Sequence, residues 1–172
     1  MKKTVAFLAL VVPANAVYAD GVYGDSAACA AGSTAPAALV YFDGMKDRKG
    51  KIRLELFPPN DKDFLADDAV LLKAGKTFRR IELSTPQSGA IAVCIKAPRA
   101  GTYSMAIIHD RDSLRKFSFS VDGVGFPGNP KLGFSKPKSA QALARIGDGV
   151  TTLHVRLNYF KGIGFGPVSA GK

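Results

Sequence analysis

Lys51-Ile52-Arg53-Leu54-Glu55-Leu56 alternates charged and aliphatic residues without an error. A strand sends successive side chains to opposite faces, so this stretch reads as a strand with Ile52, Leu54 and Leu56 turned to a core. Pro58-Pro59-Asn60-Asp61 stops it, and the charged turn before it is bracketed by Asp43-Gly44 and Lys49-Gly50. Ahead of that turn lies a short apolar strand, Leu39-Val40-Tyr41-Phe42. The two-residue period returns in residues 90–96, with Ile91, Val93 and Ile95 on one face and Cys94 on the other. It returns again in residues 150–159, where Leu153, Val155, Leu157 and Tyr159 alternate with Thr152, His154, Arg156 and Asn158. Residues 102–109 carry large apolar side chains on both faces, which predicts a central position in a sheet.

Residues 77–83 and 141–146 are weaker strand candidates, and 62–75 read either as a short helix or as a loop with one small strand. Residues 110–138, rich in Gly, Pro and Asn, form a connection about twice the length above which structureless loops become uncommon. One short strand, 116–121, fits inside it. Phe117, Phe119, Phe126 and Phe134 give this loop apolar surface to pack down, and it is the first place to look for recognition. Seven or eight short strands, turn signals between them and no long helix predict an all-β, antiparallel two-layer β-sandwich over residues 37–160. Residues 20–36 read as a flexible arm and 161–172 as a flexible tail.

The chain has 172 residues, 47% of them hydrophobic and 22% charged, a balance that suits one globular domain and argues against disorder. Residues 1–19 read as a signal peptide. Lys2 and Lys3 precede a short apolar run that ends at Pro13, and cleavage fits after Ala16 or Ala19. The run is far short of the ~20 residues that span a bilayer, and no transmembrane segment is expected. The chain is therefore expected to be periplasmic or secreted. Export favours oxidised sulfur, so Cys29 and Cys94 are expected to form one disulfide. Two Cys and two His cannot fill a four-ligand zinc site and also serve catalysis.

Formal charge is +10, and +8 once Lys2 and Lys3 are removed. The basic residues are spread over many strands and turns. Such a surface is ordinarily just solvated; in the cell envelope it would also favour anionic polymers or lipid head groups. No aromatic-basic strand motif for bases occurs, so no nucleic-acid partner is expected.

The segment from Gly101-Thr102-Tyr103 to His109-Asp110, followed by Asp122-Gly123-Val124-Gly125-Phe126, Asn129-Pro130 and Gly133-Phe134-Ser135, resembles the bacterial exported family catalogued as domain of unknown function 2141. The likeness covers roughly residues 38–160. It implies an exported β-sandwich similar to immunoglobulin-like or transthyretin-like modules, and it implies no activity. In that family the loop is often of the form Asp-x-Asn-x-Asn-Gly-x-x-Asp, which resembles a calcium loop. Here the loop reads Asp110-Arg111-Asp112-Ser113-Leu114-Arg115-Lys116, with Leu114 at the third ligand position. Asp110, Asp112 and Asp122 could still hold a metal such as calcium. Arg111, Arg115 and Lys116 could equally neutralise these acids, and the metal-free alternative is preferred.

His109 beside Asp110 could orient a general base, which would make a hydrolase. No nucleophile elbow accompanies the pair, and Ser135 sits in a Gly-Pro loop with nothing to activate it. The plainer reading has both residues hydrogen-bonded where the strand meets the loop. The sequence thus predicts a non-enzymatic envelope module with a binding or structural role and no cofactor. A calcium-stabilised adhesion-like domain comes second and a hydrolase last.

Overall fold

A computed structural model describes residues 21–168. The signal peptide assigned to 1–19 lies outside them. Among the described residues, eleven strands form two sheets, and one six-residue α-helix accompanies them. In chain order the strands are β1 (Val22–Gly24), β2 (Ala37–Asp43), β3 (Lys51–Phe57), β4 (Arg79–Ser84), β5 (Ile91–Lys96), β6 (Gly101–Asp110), β7 (Gly123–Gly125), β8 (Leu143–Ile146), β9 (Val150–Arg156), β10 (Asn158–Phe160) and β11 (Phe165–Pro167). The helix α1 spans Asp68–Lys73, its amino end capped by the Asp67 carboxylate, which accepts from the N–H groups of Ala69 and Val70.

The four-stranded sheet has the order β1-β5-β2-β9. The seven-stranded sheet has the order β11-β10-β7-β6-β3-β4, with β8 beside the first half of β6. Most pairs are antiparallel, but β1 runs parallel to β5 and β2 parallel to β9. Local alternation fixes which face is buried and carries no information on strand direction, so these two parallel pairs lay beyond the periodicity. The core between the sheets is what the period predicts. Val40, Val93 and Ile95 face Ile52, Leu54, Leu56, Met105 and Ile107, all fully buried.

Three local features depart from the sequence reading. First, residues 150–159 make two strands in different sheets rather than one. The chain crosses the sandwich at Leu157, whose N–H donates to the Asp43 carbonyl. Inward positions stay in phase through the crossing, which is why the pattern concealed it. Second, the arm is not loose. Its β1 joins the four-stranded sheet, in addition to the expected tie at Cys29, which sits in a turn over Ser26–Cys29 and bridges to Cys94 with Cα atoms 6.1 Å apart. The described part of the tail likewise adds β11 to β10. Third, residues 116–121 form turns closed by Ser118, not a strand.

The outer face of the larger sheet is covered. Residues 58–78, including α1, and the connection from β6 to β8 fold over it. Phe57, Phe64, Leu71, Ala106, Phe126 and Ala142 make a second apolar cluster there. Arg53 and Glu55 consequently lie buried on a face that charged alternation marks as solvated.

Candidate functional site

The long β6 ends in His109 and Asp110, both 0% exposed, and the strand turns them to opposite sides. They build two separate polar assemblies. The catalytic pair considered from the sequence does not form, because neighbours on a strand cannot share a face.

On the inner side, His109 Nε2 donates to the Lys49 carbonyl at 2.8 Å, since a carbonyl can only accept. Its Nδ1 therefore accepts from the Tyr159 hydroxyl at 2.7 Å. That hydroxyl in turn accepts the Lys46 N–H at 3.0 Å. Burial holds the imidazole below its usual range and pushes the Tyr159 phenol up to about 12, so both are neutral. Asp47, 4.0 Å from Nε2, is instead bound by the Arg111 guanidinium, which holds its carboxyl down at about 2. Glycine makes this knot possible. A Cβ on Gly50, at φ +67°, would lie 2.1 Å from the Asp110 carbonyl, and one on Gly123 would lie 2.5 Å from the Tyr159 ring. Every polar atom of His109 is engaged by the fold, and Ser135 lies elsewhere, on the wall of the groove described below.

On the outer side, one carboxylate oxygen from each of Asp110, Asp112 and Asp122 lies within 4.8 Å of the others. Asp122 accepts the N–H of Arg111 at 2.9 Å and that of Ser118 at 2.7 Å. Asp112 accepts from the Leu114 N–H at 3.1 Å and the Ser118 hydroxyl at 2.7 Å. Asp110 Oδ2 accepts the Arg115 N–H at 3.0 Å and faces Arg53 Nε at 3.7 Å, while its Oδ1 has no partner. Burial raises the Asp122 carboxyl, with Asp112 and Asp110 adding repulsion; the Ser118 hydroxyl lowers that of Asp112. Of the three loop cations considered for neutralising these acids, the side chains of Arg111 and Arg115 pair elsewhere. Arg111 takes Asp47 and the Val121 carbonyl, and Arg115 approaches Asp68 at 3.7 Å.

Above this cluster lies a groove of about 960 Å³ between the outer face of the larger sheet and the 110–138 loop. Its walls are largely apolar, with Leu114, Phe117, Phe119, Phe134 and Phe165 among them. Phe134 is 65% exposed. Phe119 anchors this wall, its ring 4.7 Å from Phe160 and 4.8 Å from Phe165. Arg115, Lys116 and Lys136 are at the rim, whereas Arg80, inside, is paired with Glu55 at 2.7 Å and Asp68. Sequence reasoning singled out the loop and its phenylalanines. It missed Arg53, Glu55 and Arg80, because their burial depends on a cover supplied from distant segments. It also missed Asn129. The Oδ1 of this side chain accepts the Arg156 N–H at 2.7 Å and its Nδ2 donates to the His154 carbonyl at 3.3 Å, along the outer edge of β9.

No helix among the described residues is long and apolar enough to cross a membrane. No curated protein and no solved structure matches the chain. Residues 40–154 match the model of a family described as an uncharacterized protein conserved in bacteria, DUF2141. That match takes in most of the sandwich, His109, the three aspartates and the groove's loop, though not Tyr159, and the chain belongs to this family.

Proposed function

We propose that this chain is an exported, non-enzymatic binding module of the bacterial cell envelope, and that its groove takes a lipid-like amphiphile with an anionic head. The groove itself carries the reading. It is large enough for a small ligand, lined by exposed phenylalanines that water solvates poorly, and rimmed by Arg115, Lys116 and Lys136. An acyl chain would cover the aromatic wall and a carboxylate or phosphate would meet the rim. The Cys29–Cys94 bridge supports an oxidising compartment. The engagement of both His109 nitrogens by the fold favours binding over hydrolysis at this end of β6.

Titration with a fluorescent fatty acid tests this. Saturable binding at one site per chain is expected, and Phe134→Ser should weaken it about tenfold by exposing polar surface where apolar contact is lost. Lys136→Glu should weaken it as well. A protein that shows no saturable binding, or that instead takes a soluble polyanion with no acyl chain, is not this module.

A further inference from the structure

We propose that Asp110, Asp112 and Asp122 form a calcium site at the root of the 110–138 loop. Calcium holds oxygen ligands at about 2.3–2.6 Å, so two ligands of one ion lie up to roughly 5 Å apart. One oxygen from each of the three carboxylates lies within 4.8 Å of the others, inside that limit. Magnesium demands ligands at about 2.1 Å in a strict octahedron and gives up its waters reluctantly, which a set of three carboxylates fixed by the fold serves less well.

A second observation does not depend on counting acids. Asp110 is fully buried, and its Oδ1 has no hydrogen-bond donor, whereas Oδ2 holds the Arg115 N–H. One oxygen of the Asp110 carboxyl lies within 4.8 Å of one from each of Asp112 and Asp122. A buried carboxylate oxygen without a donor is costly, and a cation supplies what the donor would. Charge agrees. Three carboxylates face one guanidinium, Arg53, in the ion pairs of the described residues, which leaves two negative charges for a divalent ion. The N–H and hydroxyl groups on Asp112 and Asp122 occupy one lone pair on each oxygen they touch, and the remaining lone pairs are free to ligate.

The ion would join the last residue of β6, the first turn of the loop and the residue before β7. It would thereby brace the segment from Leu114 to Phe119 that forms one wall of the groove. The site does not rest on what the groove binds: a protein that takes fatty acid but no calcium overturns this inference alone.

The experiment is calorimetric titration of chelator-stripped protein with calcium chloride, paired with thermal melting. One ion per chain is expected, with Tm rising about 5–10 °C once calcium is a hundredfold above Kd. Asp112→Asn, at the solvent edge of the cluster, should fold and lose at least tenfold in affinity. Asp148→Asn, an exposed acid in a remote turn, should bind as the parent does. Absence of heat and of any Tm shift at about 5 mM calcium, above the range of weak extracellular calcium modules, overturns the site. So does equal binding of magnesium, an unaffected Asp112→Asn, or an equal loss in Asp148→Asn.

Discussion

Two residues apart by one peptide bond show two ways of burying polarity. Around His109 every donor has an acceptor: the Lys46 N–H, the Tyr159 hydroxyl, the imidazole and the Lys49 carbonyl form one closed chain of hydrogen bonds. Around Asp110 the chain stays open, with an orphan oxygen and an excess of negative charge. A satisfied network is complete without a guest and serves the fold. An unsatisfied one is costly to bury and gives the fold nothing in return. Sequence adjacency hides this contrast, because a strand separates neighbours into different environments.

The contrast can be broken most forcefully on the satisfied side. Tyr159→Phe removes the hydroxyl and strands His109 Nδ1 and the Lys46 N–H in a buried place, at a cost of roughly 1–3 kcal/mol in urea unfolding. The loss should be the same with calcium and with chelator. A calcium-dependent loss would show that the two assemblies are one.

Acid provides the next largest effect. His109 titrates below its ordinary value of 6.5 in the fold, so as pH falls below that value the unfolded chain takes the proton first and stability declines. Asp47 has its folded pKa lowered from 3.8 to about 2, so its contribution is fully present above about pH 4 and disappears as pH falls toward 2. Its carboxylate is partly exposed, which discounts that contribution to roughly 1–2 kcal/mol. Unfolding free energy measured against pH should show both declines, and Asp47→Asn should remove the lower one. The smallest effect is expected on the unsatisfied side. Without calcium, Asp112→Asn should leave Tm within about 2 °C of the parent, because relief of repulsion among the acids offsets the loss of its bonds to Leu114 and Ser118. A large drop in chelator would make the cluster a structural device like the His109 knot.

How much of this was legible depends on whether the information was local. The inward faces of β3 and β5 are written in their two-residue period, and Ile52, Leu54, Leu56 and Val93 are all buried as that period requires; β6 is apolar on both faces, and Ile107 and Ile108 are both buried. Cys29 and Cys94 were a pair by elimination, and they are bonded. The three-residue strands β1, β7, β10 and β11 are too short to carry a period, and the sheet change at Leu157 leaves the alternation unbroken. Asp110, Asp112 and Asp122 are grouped through the resemblance of the loop to the family's calcium-like pattern. That the Arg111 and Arg115 side chains pair with Asp47 and Asp68, acids far away in sequence, while Arg53 from β3 faces Asp110, could not be read that way.

Asn129 has a consequence for how these molecules coexist at high concentration. Strand β9 ends its sheet, and its unpaired amide and carbonyl groups would template a strand from another copy. The carboxamide of Asn129 satisfies the Arg156 amide and the His154 carbonyl at once, acting as a surrogate rung of the ladder. An incoming chain would first have to dislodge it, so this single side chain works as a guard against fibre growth along an otherwise open border.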